Sequence, residues 1–369
     1  MYLWEVPDWP TFSFDSEAVR DSLASARLKQ GRLLGSMSAL GFSLSAEAQS
    51  LALTEEVVKN SEIEGEKLDQ VSVRSSVARR LSLDAPFRFD RRAEGAVEIA
   101  MDAARNYQTP LTEERLFGWH AALFPEGYSG AWKIRTAAWR DDAKGPMVIV
   151  SGAIGKEKVH FQAPPASRVP LEMTRFLDWF NGEQTLDGIL KASIAHLWFV
   201  EIHPFEDGNG RIARTLTDMA LARSENSEKR FYSLSRQILK ERKSYYAALE
   251  RTDRGGLDVT GWISWFLGCF SRAVDDAGSI YSQVLTKARF WTIHSQSPFS
   301  ERQKLVLDRY LDGRKGSLTA RTWATIAKCS LSTAERDIRE LLEAGVLSRN
   351  PGGSKNTSFS LLSPQERSL

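Results

Sequence analysis

The sequence predicts a mainly α-helical protein that carries one small β-hairpin and, near its carboxy terminus, a winged helix-turn-helix. Apolar residues recur at helical spacing over most of the chain, for example in ILKASIAHLWFVEI at Ile189 to Ile202. Two short runs, Met147 to Val150 and Val159 to Gln162, flank a glycine-containing loop, which is typical of a hairpin. From Ser297 onward, three short helical patterns precede a second hairpin pattern.

Length and composition limit the classes of protein to consider. A chain of 369 residues is long enough for two or three domains. Lys and Arg total 49 against 47 Asp and Glu, so the net charge of +2 gives no general attraction to nucleic acid or anionic membranes. Cys269 and Cys329 form no disulfide or zinc pattern, and no apolar run is long enough to span a bilayer. These features predict a cytoplasmic protein without a membrane segment.

The amino-terminal residues predict an extended arm followed by a series of helices. Residues Met1 to Phe14 carry five aromatic side chains and two prolines, which is typical of an arm that packs its rings on the domain behind it. Asp15 or Ser16 can cap a helix that runs to about Gln30. Further helical patterns cover Ala46 to Asn60, Val71 to Leu81, Arg91 to Asn106, Glu113 to Leu123 after the cap Thr112, Leu171 to Phe180, Gln237 to Glu250 and, as two helices, Val259 to Phe290.

One stretch of twelve residues, His203 to Arg214, reads HPFEDGNGRIAR and combines a base, acids, glycines and two arginines. It lies between two helical patterns. Pro204 biases His203 away from helical dihedrals and so ends the preceding helix. Helical spacing resumes from Arg211 to Arg223. Residues Gly208 to Gly210 therefore lie where a helix begins.

The residue types in this stretch indicate a nucleotide phosphate site. A glycine-flanked helix start exposes free N–H groups and the positive end of the helix dipole, and the Asn209 side chain adds an amide donor. Arg211 and Arg214 share one face of the first turn and can bind outer phosphates. Asp207 suits Mg²⁺ shared with the phosphates. His203, with an ordinary pKa near ~6.5, can take a proton from an attacking hydroxyl.

These twelve residues match in full the signature of the Fic family, His-Pro-Phe-x-[Asp/Glu]-Gly-Asn-Gly-Arg-x-x-Arg. The alternative is an ordinary polar loop followed by a capped helix. It requires that all nine specified positions of the twelve match the signature by coincidence. The resemblance implies a Fic-type helical bundle at residues 91–292 that transfers AMP from ATP, with Mg²⁺, to a Ser, Thr or Tyr hydroxyl of a target protein and of itself. It further implies that His203 is the base and that Mg-ATP is held by Asp207, Gly208, Asn209, Gly210, Arg211 and Arg214.

A second motif lies at the end of the helical run Ala46 to Asn60, which leads into Ser61-Glu62-Ile63-Glu64-Gly65. This junction resembles the inhibitory motif of Fic proteins, [Ser/Thr]-x-x-x-Glu-[Gly/Asn], with Asn60 in place of Ser or Thr. The resemblance implies that Glu64 pairs with Arg214 and blocks the seating of the ATP γ-phosphate. Asn60 can still make a local bond from its side chain to the backbone. The alternative interpretation is a solvated glutamate before a helix-ending glycine.

The resemblance also implies roles for the predicted hairpin and for Tyr245. The hairpin at residues 147–162 resembles the Fic flap, which pairs its backbone with a target chain by strand addition. On this flap, His160 is either a solvated strand residue or a second catalytic histidine. The placement of Tyr245 resembles that of the Fic helix that closes the adenine pocket. Tyr245 is therefore a stacking candidate, with an ordinary core aromatic as an equal alternative.

The carboxy-terminal residues 297–369 differ in character from the rest. Their helical patterns and final hairpin follow the order of a winged helix-turn-helix. The patterns cover Ser300 to Tyr310, Thr322 to Ala327, Ser332 to Glu343 and Val346 to Leu361. The would-be recognition helix carries Glu335, Asp337 and Glu340, and carboxylates repel DNA phosphates. DNA binding, protein docking and homodimer formation therefore remain open.

The sequence thus predicts an amino-terminal segment with an inhibitory helix at 1–90, a Fic catalytic core at 91–292 and a winged helix-turn-helix at 297–369. Two other functions remain open. In one, the enzyme removes AMP from modified proteins and Glu64 orients a hydrolytic water. In the other, the chain is a DNA-binding regulator whose nucleotide site senses ligand. Loss of AMP that depends on Glu64, or salt-dependent binding of duplex DNA, would distinguish these functions from AMP transfer.

Overall fold

The chain folds mainly into α-helices, as predicted, with three short two-stranded antiparallel sheets in the part that the structure describes. It divides into two compact units, Met1–Ala277 and Gly278–Leu369. The first unit contains the His203–Arg214 signature and the predicted flap. The computed structural model describes residues 2–38, 42–83, 87–143, 145–151, 158–182, 185–311, 314, 316–351 and 357–362.

Eleven helices and four short strands precede the carboxy-terminal helices in the described residues. The helices are α1 (Ser16–Ser38), α2 (Phe42–Ile63), α3 (Gln70–Arg80), α4 (Arg91–Arg105), α5 (Glu113–Leu123), α6 (Val169–Asn181), α7 (Gly188–Ile202), α8 (Asn209–Glu225), α9 (Leu234–Lys240), α10 (Arg242–Asp253) and α11 (Thr260–Ile293). The strands are β1 (Tyr128–Ser129), β2 (Trp132–Lys133), β3 (Val148–Ser151) and β4 (Lys158–Gln162).

Helix α7 is the centre of the first unit. Its residues are buried on nearly every face, which explains why its sequence is apolar around the whole helix rather than along one stripe. It packs against α8, and α8 also packs on α4. The loop of the signature therefore joins two helices whose positions are determined by core packing.

The amino-terminal arm packs on this core, as predicted. The Trp4 indole donates a hydrogen bond to the Gln162 carbonyl at 2.7 Å, and the Trp9 indole donates one to the buried Glu172 carboxylate at 2.9 Å. Ser13 pairs its backbone with residues on either side of Asp258. The arm thus contacts the end of β4, helix α6 and the start of α11.

Helix α1 begins as predicted and ends later than predicted. Asp15 caps it by accepting hydrogen bonds from two N–H groups of the first turn, at 2.9 and 3.2 Å. The helix continues to Ser38 rather than ending near Gln30. Gly31 and Gly35 lie within it, since isolated glycines weaken a helix without breaking it.

Two further helix boundaries differ from the prediction. The single helix expected at Gln237 to Glu250 is broken at Glu241, whose φ of −109° and ψ of 21° leave the helical region. Its carboxylate accepts two hydrogen bonds from Arg272 on α11, both at 2.6 Å. Conversely, the two helices expected at Val259 to Phe290 are the one helix α11, because Gly278 alone does not terminate a helix.

After the last part of α11, the second unit contains three further α-helices and two strands in its described residues, in the order that a winged helix-turn-helix requires. They are α12 (Glu301–Leu311), α13 (Ala320–Ala327), α14 (Leu331–Glu343), β5 (Leu347–Arg349) and β6 (Phe359–Leu361). Their core surrounds the fully buried Trp323. The winged-helix assignment, with its DNA or dimer contacts, stays a prediction.

Asp337 requires a correction, since it was grouped with the acidic side chains of the would-be recognition surface. It is 1% exposed, and its carboxylate accepts hydrogen bonds from Arg302 at 2.6 and 2.7 Å and from the Trp323 indole at 3.2 Å. Asp337 therefore belongs to the core of the second unit. Among the described helices, none combines the length and apolar character needed to cross a membrane.

Candidate active site

The loop between α7 and α8 is closed by one of its own side chains. Asn209 accepts a hydrogen bond from the Phe205 N–H at 2.9 Å and donates one from Nδ2 to the Phe205 carbonyl at 2.8 Å. It is 2% exposed. The structure thus assigns the Asn209 amide to the loop rather than to a phosphate, which corrects the sequence-based prediction.

Gly208 is required by both its conformation and its surroundings. Its φ is +82°, and a Cβ at this position would lie 2.8 Å from a carbon of the Phe124 ring. Gly256 has nearly the same φ, +83°, but open space around it. A comparison of substitutions at the two glycines therefore distinguishes the cost of positive φ from the cost of the clash with Phe124.

We expect Gly208→Ala to destabilise the protein more than Gly256→Ala. Strain at positive φ should cost each variant about 1 kcal/mol, and the clash with Phe124 should add about 1–3 kcal/mol at Gly208. Urea unfolding of the two variants and the parent measures the difference. Equal losses of unfolding free energy would show that the Phe124 ring moves aside without cost.

The first turn of α8 has the features of an anion site. The N-cap residue Gly208 offers no side-chain acceptor, so the N–H groups of the first turn keep their capacity to bind an anion. The Glu64 carboxylate lies over this turn: a Cβ built on Gly210 would be 2.2 Å from Glu64 Oε1 and 3.2 Å from Arg214 Nη1. An acidic side chain thus lies over the N–H groups of this helix start.

Glu64 is placed there by the end of helix α2. Gly65 has φ of +83° and donates its N–H to the Glu62 carbonyl at 3.0 Å, while Glu66 donates to the Ser61 carbonyl at 3.1 Å. These two bonds with a left-handed glycine form a Schellman motif. The motif ends α2 and directs Glu64 toward α8.

Arg214 is almost fully buried and binds the Glu64 carboxylate. Its Nη2 donates to Glu64 Oε1 at 2.7 Å, and its Nε donates to Asn60 Oδ1 at 2.6 Å. Although burial opposes its charge, the neighbouring Glu64 carboxylate raises the pKa of Arg214 above the ordinary value. Nη1 is buried and has no hydrogen-bond partner among the described residues. This donor remains available to a ligand.

Asn60 bonds across the helix interface rather than locally, which corrects the prediction made for it. Its Nδ2 donates to the Arg211 carbonyl at 3.2 Å, and both its carbonyl oxygens, of the side chain and of the backbone, accept from Arg214. The residue that departs from the inhibitory motif therefore adds bonds between α2 and α8.

Arg211 is paired with a carboxylate that the sequence reasoning missed. Its guanidinium lies 4.7 Å from the centre of the Phe124 ring and forms an ion pair with Glu66, while Nη2 is 3.8 Å from Asp207 Oδ2. The residue is 5% exposed. Both arginines of the signature are thus bound by acidic side chains from the segment that follows α2. The sequence feature that could have indicated this ion pair is the second acidic residue, Glu66, two positions after Glu64.

His203 is neutral at physiological pH, and one of its ring nitrogens has no hydrogen-bond partner among the described residues. Its Nδ1 lies 3.1 Å from the Val200 carbonyl, which can only accept, so Nδ1 carries the proton and Nε2 keeps its lone pair. Burial lowers the pKa of His203 to about 4, and the Arg140 charge acts in the same direction. Its bond to Val200 and the charges of Glu64 and Asp207 oppose that shift. The imidazole can therefore accept a proton.

His120 and Arg140, which sequence reasoning also missed, contact the loop from outside. The His120 ring stacks on Phe205 with centroids 4.2 Å apart. Ala137 donates to His120 Nδ1 at 3.2 Å, so Nε2 donates to the Asp207 carbonyl at 3.1 Å. Burial lowers the pKa of His120 to about 4 and so keeps it neutral. Arg140 donates to the His203 carbonyl at 2.7 Å.

A cavity of about 350 Å³ lies beside the first turn of α8, and its walls include Glu64, Asp207 and Arg211. The Asp207 carboxylate accepts a hydrogen bond from the Ser129 hydroxyl. Among the described residues, no group of three or more His, Cys, Asp or Glu could hold a metal. Mg²⁺ commonly uses one or two carboxylates together with substrate phosphates, so Asp207, which is 42% exposed at its side chain, fits such shared coordination.

Tyr245 belongs to the core and not to an open base-stacking surface, which corrects the stacking prediction. It is 2% exposed, and its hydroxyl lies 2.9 Å from His196 Nε2. Its ring also packs against Trp262 and Trp265, so no face is free for a base. The adjacent Tyr246 is 40% exposed and offers an accessible ring.

The flap strands β3 and β4 pair as predicted, with an irregularity between Ile149 and Val150. The loop that joins them, at residues 152–157, lies outside the described residues. Arg254 donates to the Val159 carbonyl at 3.1 Å, and His160 Nδ1 lies 3.3 Å from a Glu250 carboxylate oxygen. These contacts place β4 next to α10 and favour a structural role for His160.

The flap also contacts the signature. The Phe161 ring is 8% exposed, and its centroid lies 5.5 Å from that of the His203 ring. Ile149, which pairs with Phe161 across the sheet, is 45% exposed, and Val159 on β4 is 38% exposed. The flap therefore presents apolar side chains to solvent while its Phe161 covers the imidazole.

Comparison with known proteins agrees with this site. Residues 110–221 match the Fic/DOC family, and residues 2–83 match a domain of unknown function, DUF4172. A probable protein adenylyltransferase of Aquifex aeolicus is 34% identical over 104 residues, 28% of this chain and 30% of that protein. The protein adenylyltransferase fic-1 of Caenorhabditis elegans is 39% identical over 88 residues, 23% of this chain and 16% of that protein. The matched part thus spans less than a third of these relatives.

Solved structures support the fold. A Fic family protein from Desulfovibrio desulfuricans G20 superposes with a TM-score of 0.57 and 20% identity over 96% of this chain and 98% of that chain. A Fic-domain-containing signalling protein from Bacteroides thetaiotaomicron gives a TM-score of 0.50 and 18% identity, over 70% of this chain and 95% of that chain. These two structures show a shared fold. The family match shows that residues 110–221, which include the signature, form a Fic/DOC domain in this chain.

Proposed function

We propose that this protein is an adenylyltransferase that moves AMP from ATP to a Ser, Thr or Tyr hydroxyl of a target protein and of itself. The observation that carries the proposal is a neutral His203 at one end of a loop whose other end is an uncapped helix start with two buried arginines. The two curated relatives named protein adenylyltransferase support the same reaction.

In the proposed reaction, the ATP phosphates bind the N–H groups of the first turn of α8, from Asn209 to Arg211, and Arg214 binds the γ-phosphate. His203 Nε2 takes the proton of the target hydroxyl. The hydroxyl oxygen then forms a bond to the α-phosphorus, the bond from that phosphorus to the bridging oxygen breaks, and pyrophosphate leaves. Asp207 would hold Mg²⁺, which when bound offsets negative charge on the phosphate oxygens.

We infer that Glu64 inhibits this reaction in the resting protein. Its carboxylate occupies the space above Gly210 and bonds Arg214, the side chain proposed to bind the γ-phosphate. A carboxylate and a phosphate cannot share these donors, because both need them and both carry negative charge. ATP would therefore bind productively only when Glu64 moves away.

The proposed docking site for the target is the flap of β3 and β4. In the described residues this sheet has only two strands, and Arg254 contacts the backbone of β4. Strand addition would therefore use the β3 edge, with the exposed Ile149 contacting the target side chains. Phe161 would keep the docked hydroxyl close to His203.

A direct test uses the mass of the purified protein after incubation with ATP. We expect the Glu64→Gly protein to gain the mass of AMP, and Glu64→Gly/His203→Ala to remain unmodified. An α-labelled ATP would also label added proteins from a lysate if the target is present. Equal incorporation by wild type, Glu64→Gly and the double variant would reject the assignments of His203 and Glu64 together.

A further prediction concerns Glu66, which forms an ion pair with Arg211. In the Glu64→Gly protein, adding Glu66→Gln should lower the KM for ATP by about 2- to 5-fold, since a partly exposed charged hydrogen bond contributes about 0.5–1 kcal/mol. Glu62→Gln is the matched control, because Glu62 pairs with Lys59 in the same turn and does not contact the signature arginines. Equal KM changes in both variants would assign the effect to general surface charge.

A further inference from the structure

Arg140 is a buried charged residue that the proposed reaction does not use. It is 3% exposed and precedes the flap in the chain. Its Nε donates to the His203 carbonyl at 2.7 Å, and its backbone N–H donates to the Pro204 carbonyl at 2.9 Å. Both acceptors belong to the two residues at the start of the signature. Arg140 therefore contacts the backbone that carries the imidazole.

The backbone of His203 needs such support. Its φ of 50° and ψ of 58° lie in the left-handed region, where a residue other than glycine costs about 1–3 kcal/mol and persists only when its surroundings determine it. The His203 N–H is used by the Phe199 carbonyl at 3.1 Å, the last bond of α7. The two bonds from Arg140 bind the carbonyl groups of His203 and Pro204 and so stabilise the turn by which the chain leaves α7.

The same guanidinium contacts the base of the flap. Nη2 donates to the Pro164 carbonyl at 2.5 Å, and Nη1 lies 3.2 Å from Asp142 Oδ1. Just before Pro164, the Ala163 N–H donates to the Met147 carbonyl at 3.0 Å, at the end of the flap where β3 begins and β4 ends. One planar side chain thus bridges the signature loop and the flap.

We propose that Arg140 is a positioning residue that sets the distance between the His203 imidazole and the flap strand on which the target chain docks. The inference rests on the proposed transfer of AMP. Several donors in a fixed plane are needed to bind carbonyls of two different segments, and only arginine among the side chains supplies them. Lysine keeps the charge but presents a single donor group that cannot reproduce this fork.

The test compares full-length variants in the Glu64→Gly protein. We expect Arg140→Lys to lower kcat for AMP transfer by about 10- to 100-fold, because a small displacement of base and acceptor is costly. The Kd for ATP should change by less than about twofold, since Arg140 does not contact the first turn of α8. Arg223→Lys is the matched control: Arg223 also donates to backbone carbonyls, at 2.6 and 3.0 Å, but from the far end of α8. It should lower thermal stability while kcat stays unchanged.

The pH dependence of kcat separates position from charge. His203 faces the charges of Arg140, Glu64 and Asp207, and Glu64 is absent in the parent protein. Arg140→Met removes a positive charge that disfavours the imidazolium, so the pKa of His203 rises and the acid limb of kcat moves to higher pH. Arg140→Lys should lower kcat without moving this limb.

Three outcomes count against the inference, and a fourth counts against the proposed function. Arg140→Lys with the parent kcat, or with kcat and ATP affinity lowered together, removes the positioning role. A kcat loss in Arg223→Lys equal to that in Arg140→Lys shows that lost stability explains both. A Glu64→Gly parent that transfers no AMP rejects the proposed function itself, which distinguishes that failure from the others.

Discussion

Replacing His203 by alanine in the Glu64→Gly protein is expected to lower AMP transfer by about 10²- to 10⁴-fold, the usual contribution of a general base. The hydroxyl of the target then has no neutral imidazole to accept its proton. The imidazole lies outside the first turn of α8, so the Kd for ATP should stay within about twofold. Labelled AMP incorporation and nucleotide binding, measured on the same preparation, check the two halves of this expectation.

The pH dependence of the same reaction supplies the control. Burial lowers the pKa of His203 to about 4 in the wild type, and loss of the Glu64 charge, which raises that pKa, lowers it further. In the Glu64→Gly protein the base is therefore neutral and active from about pH 5 upward, and transfer is lost only as the pH falls to about 4 or below. An unburied histidine would instead lose activity near its ordinary pKa of ~6.5. This loss of activity at acidic pH should be absent from the residual activity of the His203→Ala variant. If activity is still lost at acidic pH in this variant, the titrating group is ATP or another residue.

Replacing Glu64 by glycine is expected to raise the rate of AMP transfer by about 5- to 150-fold, which corresponds to a coupling of about 1–3 kcal/mol between the carboxylate and the phosphate. The change removes the oxygen that bonds Arg214 Nη2 and empties the space above Gly210. Initial rates with α-labelled ATP measure it. Adding Arg214→Ala should return the rate toward the wild-type value, because the γ-phosphate then lacks its proposed partner.

Thermal unfolding distinguishes release of inhibition from a general loosening of the structure. Glu64→Gly leaves the Arg214 charge buried with Asn60 as its remaining side-chain partner, so the variant should lose about 1–2 kcal/mol of unfolding free energy. ATP should restore this loss in the variant and stabilise the wild type less, since binding to the folded state adds stability by mass action. Equal stabilisation of both proteins by ATP would contradict inhibition by Glu64.

The local structure of the signature was predictable because its determinants are close in sequence. Pro204 ends α7, Gly208 adopts positive φ and α8 begins at Asn209, all within the reach of one helix end. The cap of α5 by Thr112 was predictable for the same reason. Such features depend on steric limits and on bonds between residues two to four positions apart. The likeness of the twelve residues to a known family then indicated the chemistry.

The break between α9 and α10 could not be read from the same local pattern. Helical spacing continues through Glu241, yet its carboxylate bonds Arg272, thirty-one positions later on α11. The reverse error occurred at α11, which was predicted as two helices but is continuous from Thr260 to Ile293. Helix ends that depend on distant partners require the packed structure.

From its sequence alone, the chain was determined to be mainly helical and to carry a Fic/DOC signature, and a phosphate-binding helix start, a base and an inhibitory glutamate were predicted. The tertiary structure alone decided which side chains meet there: Glu66 with Arg211, Asn60 with both arginines, and Arg140 with the His203 carbonyl. It also assigned Asn209 to the loop and Tyr245 to the core. The physical reason for the contacts of Glu66, Asn60 and Arg140 is distance along the chain: steric and capping rules act between near neighbours, whereas these three sets of contacts join residues from about 60 to 150 positions apart once α7 and α8 have packed.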